Sequence, residues 1–418
     1  MRDLYDIAIV GTGVAGAFAA YKIATEHKNV RMITFDIGRP PLKRRAQMYG
    51  WLGSLPTGDG KLYLDNMEDV KPLLSEKRIN SSFAFVKNIF LKNAGFDECK
   101  NLLPSKQLLN KIDKNNFTFK KHNYIQYNPR NIHNISKFMS DKIMDSGNSF
   151  KFDEEIVDIN MRDDGTFEIC GEEDMFYAKK VILATGRSGW RWNAKLFNKF
   201  NLIKENSKAK IGIRIEADEQ SLKDLNKCCC TITDPSSNIK MGPFLFGGTV
   251  IPEDHCDLAI SAFRSNETRW VSEKTSFELI KELDFAGKGY EQTERIAKII
   301  FILSNDRILK ERLSTITSGK TRLAIIDEFN LKLNTDKEIV SKGWLIEAVE
   351  QVAKIFPDII ESSYFYVPTI STILPKINIS SNLETDVKNL YVAGESSGIQ
   401  GILSAAMMGA AVADFSTK

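Results

Sequence analysis

The chain begins with an apolar run, a glycine-rich turn and a second apolar run of different period. Residues 5–10 (YDIAIV) read as a short buried β-strand, and residues 17–24 (AFAAYKIA) read as the helix that follows. Between them lies GTGVAG at 11–16, and residues 30–36 (VRMITFD) form a second β-rich run that ends in an acid. Strand, glycine turn, helix, strand and acid in this order are typical of a dinucleotide-binding unit.

The hydrophobic pattern changes after this unit. Residues 66–145 are polar and are predicted to be mostly helical, with helical spacing clearest at 131–144. Residues 150–161 alternate as a strand, and 166–170 return as its hairpin partner. Residues 178–185 (AKKVILAT) then predict another buried strand.

The second half begins with alternation in IGIRIEA from residue 211, and 258–263 are again strand-like. Helical spacing dominates 271–315, after which NLYVA at 389–393 predicts a buried strand and 402–415 a small-residue helix. A chain of 418 residues exceeds the usual size of a single core, so two domains are expected. We predict an α/β fold in which a Rossmann-like domain, a parallel sheet with a β-hairpin or meander, is interrupted by an α+β substrate domain. The predicted boundaries are 1–205 with 375–418 for the first domain and 206–374 for the second.

Composition adds little to this division. The chain is 43% hydrophobic and 27% charged, with a net charge of +3, as in ordinary soluble proteins. No apolar run reaches the ~18 residues of a membrane span, and the predicted first strand leaves no room for a signal peptide. The 6 cysteines include no CxxC, and the 4 histidines show no metal-like spacing. We therefore expect a reduced cytoplasmic protein with no membrane segment and no metal.

Each glycine of the turn has a predicted role. Gly11 permits the tight turn, Gly13 lets the backbone approach a pyrophosphate, and Gly16 lets the helix pack closely on the strand. The helix N-terminus offers N–H groups to the phosphates, and Asp36 can accept hydrogen bonds from a ribose diol. The predicted site for the phosphates and ribose comprises Gly11, Gly13, Val14, Ala15, Gly16, Asp36, Ile37 and Arg39.

Two later motifs make the cofactor more specific. The combination of GTGVAG at 11–16, ILATG at 182–186 and NLYVAGE at 389–395 resembles FAD-dependent oxidoreductases of the glutathione-reductase-like two-dinucleotide-fold superfamily. The resemblance implies FAD, with a backbone group of the strand at 155–159 beside the adenine. It also implies that a turn near 394–395 meets the pyrophosphate or ribityl chain, and that a helix N-terminus at 401–402 faces the flavin ring. The cofactor residues implied in this way are Val157, Ala184, Thr185, Gly186, Gly394, Glu395, Gly401 and Ile402.

A narrower resemblance is to poorly characterised bacterial FAD-dependent dehydrogenases. It is carried by GSLPTGDGKL at 53–62, ATGRSGWRW at 184–192, IGIRIE at 211–216 and GESSGIQGILSAAMMG at 394–409. Those proteins usually carry a cysteine–proline–glycine–glycine segment in the middle domain, whereas this chain has GPFLFGG at 242–248. Their substrate chemistry is therefore not carried over.

The candidate catalytic residues are Lys61, Arg187 and Arg191. Gly60 and Lys61 are also predicted to bind the cofactor. They lie in a turn where Lys61 can hydrogen-bond flavin N5 or a substrate anion, or can be an ordinary surface lysine. Arg187 and Arg191 can clamp a planar or anionic substrate, or can belong to the packing around Trp190 and Trp192.

Other candidate residues have less defined roles. Cys228–Cys230 can include a reactive thiol, but small core residues are favoured, and His255 and Arg264 are a possible acid and anion anchor.

These residues predict hydride transfer between an unidentified substrate and flavin N5. One alternative is an FAD-dependent monooxygenase reduced by NAD(P)H; another is a flavoenzyme that modifies a nucleic-acid base or a protein-bound group, motivated by the basic run at 43–45. A non-catalytic flavoprotein is the remaining alternative. Only one glycine fingerprint has its strand–turn–helix context, so we expect no dedicated domain for NAD(P)H. The flavin is then reduced directly by the substrate, or it exchanges electrons with a separate donor or acceptor.

Overall fold

The computed structural model describes residues 3–43, 49–95, 97–98, 102–128, 131–205, 208–255, 258–264, 272–283, 285, 288–305, 308–329 and 343–418. In chain order its strands are β1 (Leu4–Val10), β2 (Met32–Asp36), β3 (Lys61–Tyr63), β4 (Asp97–Glu98), β5 (Thr118–Lys121), β6 (Tyr124–Gln126), β7 (Ser149–Phe152), β8 (Ile156–Met161), β9 (Phe167–Gly171), β10 (Met175–Leu183), β11 (Ile203–Glu205), β12 (Lys208–Asp218), β13 (Cys230–Asp234), β14 (Ile239–Met241), β15 (Leu245–Phe246), β16 (Thr249–His255), β17 (Leu258–Arg264), β18 (Lys274–Leu283), β19 (Leu309–Arg312), β20 (Tyr364–Ile373), β21 (Lys376–Ile377) and β22 (Leu390–Val392). Its helices are α1 (Val14–Glu26), α2 (Met67–Val70), α3 (Glu76–Asn93), α4 (Lys106–Lys114), α5 (Ile132–Asp145), α6 (Trp190–Lys199), α7 (Gly289–Ser304), α8 (Ser314–Thr317), α9 (Trp344–Ile355), α10 (Ile359–Ser362) and α11 (Ile402–Ser416).

The chain divides into two compact units, residues 1–99, 123–207 and 374–418 in the first and 100–122 with 208–373 in the second. The predicted boundaries placed all of 1–205 in the first unit, whereas 100–122 belongs to the second. Two features explain the difference. Strand β5 pairs with β13, and Leu108 and Ile112 of α4 lie in the core of the second unit.

The first unit is built on a parallel sheet in the order β7–β2–β1–β10–β22. The N-terminal half of β10 pairs with β9 and β9 with β8, both antiparallel, which gives the meander. The strands are apolar on both faces, as parallel strands are, because helices and the meander cover both sides. In β1, Ile7 and Ile9 face the cluster that contains α1, α5 and α11, while Ala8 and Val10 face the opposite cluster. The predicted α/β fold with a parallel sheet and meander is confirmed.

The strand predicted over 150–161 is two strands. β7 ends at Phe152 and pairs parallel with β2, whereas β8 begins at Ile156 and pairs antiparallel with β9. Asp153, between them, has a φ of +55°, which no β-strand accommodates. The run of acidic residues at 153–155 marks this break in the sequence, and the prediction of one continuous strand was wrong.

The second unit is a large antiparallel sheet in the order β19–β20–β12–β18–β14–β13–β5. Its core cluster lies on one face of the sheet and includes side chains of α4, α7 and α9. The helical spacing predicted over 271–315 was wrong in two places, because β18 and β19 lie within that range. The helical prediction for 66–145 likewise missed β4, β5 and β6. Among the described residues, no helix is both long and apolar enough to span a membrane.

Candidate dinucleotide site

The three sequence motifs meet at one edge of the parallel sheet in the first unit. In the strand register, Val10 of β1 lies beside Leu183 of β10, and Leu183 lies beside Val392 of β22. Each strand is followed at once by its motif, GTGVAG, ATG or GES. The carboxyl end of a parallel sheet is the usual place for a ligand in open α/β folds.

Gly11 and Gly16 are required by close backbone packing. A Cβ at Gly11, where φ is +92°, would lie 2.6 Å from Ala184 O, and a Cβ at Gly16 would lie against Gly11 O. Ala184 N–H also donates to Val10 O at 2.8 Å, so the two turns are bonded side by side. Gly13 is different, since a Cβ there would meet nothing closer than Ala184 O at 3.9 Å. The turn thus has open space at Gly13 and none at the other two glycines.

Two helices begin at this edge with a glycine at the N-cap. Helix α1 follows Gly13 and helix α11 follows Gly401; neither has a side-chain cap nor an acidic residue in its first turn. Their first N–H groups and the positive ends of their dipoles therefore remain available to an anionic or electron-rich ligand.

Asp36 is buried and holds the glycine turn. Its Oδ2 accepts from Thr12 N–H at 2.7 Å and from the Thr12 hydroxyl at 2.8 Å, while its Oδ1 accepts from Gly38 N–H at 2.7 Å. The side chain is 6% exposed. The sequence predicted a ribose partner here. In the structure Asp36 also joins the end of β2 to the glycine turn through its hydrogen bonds. Its Oδ1 can still accept one further hydrogen bond.

A buried network joins the second motif to the third. The Thr185 hydroxyl donates to Asn193 Oδ1 at 3.0 Å and lies 3.2 Å from the Ser396 hydroxyl. Ser396 Oγ also accepts from Gly186 N–H at 3.1 Å and from Asn193 Nδ2 at 3.4 Å. Asn193 and Ser396 were missed in the sequence: Asn193 belongs to none of the motifs, and Ser396 lies within the GESS segment but was assigned no role there.

The third motif packs tightly on the first. Gly394, with φ of +66°, would place a Cβ 2.8 Å from Ala15 Cβ, so the turn after β22 rests on the start of α1. At Gly401, where φ is +110°, an added Cβ would clash with the side-chain amide of Asn66. The hydroxyl of Ser404 donates to Asn66 O at 2.9 Å and fixes the first turn of α11, which begins at Ile402.

Strand β8, which was predicted to lie beside the adenine, contains a β-bulge at Val157. Between Ile156 and Asp158 the register of β8 with β9 shifts, so Val157 is the extra residue of a bulge and is 40% exposed. A bulge leaves backbone groups outside the ladder. The other two predicted residues near the ribose lie at the surface, Ile37 with 47% exposure and Arg39 with its Nε 4.0 Å from Asp153.

Lys61 is engaged by its own turn. Its Nζ lies 3.8 Å from Asp59 Oδ2 and 5.1 Å from the centre of the Tyr124 ring, and its side chain is 12% exposed. The neighbouring Gly60 carbonyl accepts from Tyr127 N–H at 2.9 Å and from Gln126 Nε2 at 2.8 Å. The turn is therefore firmly held, and the Lys61 ammonium is mostly buried beside Asp59.

Arg187 forms an ion pair with Glu395. Its Nε and Nη2 donate to Glu395 Oε1 at 3.0 and 2.8 Å, which joins the turn after β10 to the turn after β22. Arg191 is half-buried in the first turn of α6. Arg187 therefore has a structural partner in addition to its predicted catalytic role.

The remaining candidates from the sequence are the three adjacent cysteines, His255, Arg264 and the basic run at 43–45. Cys228, Cys229 and Cys230 are all buried, which confirms their interpretation as core residues, and Cys228 and Cys230 belong to the apolar cluster of the second unit. The side chains of His255 and Arg264, and residues 44–45, lie outside the part of the chain that the structure describes.

Glu26, His27 and Asp414 place potential metal ligands within 4.8 Å of one another. Lys22 Nζ and Arg78 Nη1 contact Asp414 at 2.9 and 2.6 Å, so the carboxylate of Asp414 is already occupied by two ion pairs.

Comparison with known proteins finds no matching family and no matching curated protein. Among solved structures, glycine oxidase from Geobacillus kaustophilus is 13% identical, with 99% of this chain and 94% of that chain aligned at a TM-score of 0.44. L-alpha-glycerophosphate oxidase from Mycoplasma pneumoniae, with FAD bound, is 9% identical over 99% of this chain and 95% of that chain, with a TM-score of 0.48. A flavoprotein/dehydrogenase from Cytophaga hutchinsonii is 12% identical over 99% and 78%, with a TM-score of 0.39. At TM-scores below 0.5 these likenesses carry no weight for function, which has to be inferred from the site.

Proposed function

We propose that this chain is an FAD-dependent oxidoreductase that transfers a hydride between an organic substrate and flavin N5. The observation that carries the proposal is the packing of the three motifs at one sheet edge, with Gly11 against Ala184 and Gly394 against Ala15. A mononucleotide needs only the first turn and helix, whereas a long dinucleotide uses several strand ends and a second helix N-terminus.

The residues present fit FAD. Open space at Gly13 and the uncapped start of α1 suit the pyrophosphate, and Asp36 Oδ1 suits the ribose. The bulge at Val157 offers backbone groups to the adenine, and the start of α11 at Ile402 suits the electron-rich side of the flavin ring. When bound, FAD supplies the two-electron chemistry, so the protein's task is to orient it and exclude water.

The substrate itself or a separate redox partner exchanges electrons with the flavin, since the sequence holds a single glycine fingerprint in its full context. The cysteines that the structure describes are all free, which supports the reducing cytoplasm as the compartment of this enzyme.

The test is flavin content in the purified protein and in a Gly13→Ala variant. We expect FAD, identified by chromatography after denaturation, at about one per chain in the wild type. Gly13 has a negative φ of −58°, and a Cβ there would meet no atom closer than 3.9 Å, so alanine is compatible with the fold while its methyl group occupies the space for the phosphates. The variant should keep its circular dichroism and lose at least about tenfold in FAD affinity, or ~1.4 kcal/mol.

Gly95→Ala is the matched control. Gly95 has a positive φ, and a Cβ added there would have no atom within 4 Å, so its substitution strains the backbone mildly away from the site. It should retain FAD. A wild-type protein that takes up no FAD from micromolar solution would overturn the proposal, as would a Gly13→Ala variant with unchanged affinity.

A further inference from the structure

The turn after β22 is held by a different partner at each of three consecutive residues, from Gly394 to Ser396. A Cβ at Gly394 would lie 2.8 Å from Ala15 Cβ, so this residue packs against the first turn of α1. Glu395 accepts from Arg187, and Ser396 accepts from the backbone of the turn after β10. The turn after β22 therefore contacts both of the other turns of the candidate site, and its position depends on them.

The hydrogen bonds among Thr185, Asn193 and Ser396 form a closed ring, and the chemistry of the groups fixes its direction. The Thr185 hydroxyl donates its single proton to Asn193 Oδ1, because an amide oxygen can only accept. Across the 3.2 Å between the two hydroxyls, Ser396 must then be the donor and Thr185 the acceptor. Ser396 Oγ in turn accepts from Asn193 Nδ2 and from Gly186 N–H, which uses both of its lone pairs. The Ser396 hydroxyl thus has no hydrogen bond left to offer a ligand.

This hydrogen-bonded ring is more deeply buried than the ion pair beside it. Asn193 is 0% exposed and Ser396 is 1% exposed. The side chains of Arg187 and Glu395 are 26% and 22% exposed, so solvent screens their attraction. A buried donor that loses its acceptor costs its full desolvation. The ring therefore holds the turn after β22 more firmly than the ion pair does.

Helix α6 fixes the third member of the ring. Its N-cap is Gly189, where an added Cβ would lie 2.5 Å from Thr185 Cβ, so the start of the helix packs directly on the turn after β10. Asn193 N–H donates to Gly189 O at 2.8 Å within the same helix. The Asn193 amide is thus presented by a regular helix, and the ends of β10 and β22 meet the start of α6 at this ring.

We propose that Ser396 and Asn193 are positioning residues for FAD, which hold the turn after β22 in its binding position before the cofactor arrives. This inference rests on the function proposed above. The turn leads through Gly401 to the N-terminus of α11, the helix start that suits the electron-rich side of the flavin ring. Because the ring is satisfied within the protein, it forms without a ligand, and a turn that is already in place costs less entropy to bind.

The test is the dissociation constant of FAD from the full-length protein, with free FAD measured after ultrafiltration. Ser396→Ala leaves Gly186 N–H and the Asn193 amide without an acceptor, so FAD should bind about tenfold more weakly while the far-ultraviolet circular dichroism is kept. The visible circular dichroism of the bound flavin should change as well, because the flavin ring is held differently. A purely structural role would lower the free energy of unfolding and leave both flavin measurements as in the wild type.

Two further variants make the test independent of how well Ser396→Ala folds. Ser396→Cys keeps a weak donor and acceptor in nearly the same volume, so its FAD affinity should lie between those of the wild type and Ser396→Ala. Asn193→Ala should weaken FAD as Ser396→Ala does. Combined with Ser396→Ala it should still weaken FAD only about tenfold, rather than the roughly hundredfold expected of independent groups, because both residues act through one ring.

Ser140→Ala is the matched control. Ser140 is a buried serine of α5 in the same unit, 6% exposed, and its hydroxyl donates to Lys137 O of its own helix at 3.1 Å. This variant should bind FAD as the wild type does. Wild-type FAD affinity and an unchanged flavin spectrum in Ser396→Ala or in Ser396→Cys would overturn this inference alone. A wild-type protein that takes up no FAD would overturn the proposed function and this inference together.

Discussion

At the scale of single residues, Asp36 shows how one buried carboxylate can hold a glycine turn in shape. It ends β2, and its two oxygens hold Thr12 in the glycine turn and Gly38 after the strand. The turn is therefore shaped before any nucleotide binds. Such pre-organisation lowers the entropy that binding costs.

Asp36→Ala should lower the free energy of unfolding by about 3 kcal/mol, because buried N–H and O–H donors lose a charged acceptor. Thr12→Val removes only the hydroxyl bond and should cost about 1 kcal/mol. Urea unfolding of the apoprotein measures both. Equal losses for the two variants would show that Asp36 does not hold the backbone of the turn.

At the scale of elements, helices α1 and α11 are in direct contact along their lengths. A Cβ at Gly409 would lie against Ala15 O, so the helices approach as closely as backbones allow. At their other ends Asp414 of α11 accepts from Lys22 of α1 at 2.9 Å and from Arg78 of α3 at 2.6 Å. Glycine thus sets the spacing of these helices, and the ion pairs join them to α3.

This ion-pair cluster predicts a pH dependence. Burial raises the pKa of Asp414, but hydrogen bonds and charges from Lys22, His27 and Arg78 outweigh it and hold the pKa below its ordinary value of 3.8. The native state therefore binds this proton less readily than the unfolded state. Its stabilisation is full above the ordinary pKa and is lost as the pH falls through the lowered native pKa.

Asp414→Asn should therefore be less stable than the wild type by about 2 kcal/mol at neutral pH, with the difference shrinking below pH 3.8. Thermal unfolding across this range measures the effect. Glu26→Gln is the control, since Glu26 lies 3.8 Å from Lys22 but its side chain is 49% exposed. It should change stability by less than about 1 kcal/mol at every pH. A pH-independent loss in Asp414→Asn would contradict the assignment.

At the scale of the whole molecule, the first unit collects its site from distant parts of the chain. Residues 11–16, 184–186 and 394–402 follow adjacent parallel strands although they are far apart in sequence. A ligand that bridges these turns should therefore protect all of them together.

Hydrogen exchange should slow on addition of FAD in peptides that cover 11–16, 36–38, 184–186 and 394–402. The physical reason is that bound phosphates and rings accept from these amides and restrain local opening. Mass spectrometry of peptides obtained by digestion of the full-length protein after exchange, with and without FAD, measures it, and the Gly13→Ala variant at the same FAD concentration should show little of the change. Protection confined to 11–16 would indicate a smaller nucleotide.

The elements whose signals are local could be predicted from the sequence. The period of the apolar residues and the glycine spacing correctly predicted β1, α1, β2, β10, β22 and α11, because buried parallel strands and close helix packing leave characteristic residues at fixed intervals. Tertiary structure decided what depends on contacts distant in sequence. The break at Asp153, the partnership of Arg187 with Glu395 and the Thr185–Asn193–Ser396 network all arise between strands or turns that meet only after folding. Hydrogen-bond partners are set by three-dimensional proximity, and hydrophobic periodicity carries no record of it.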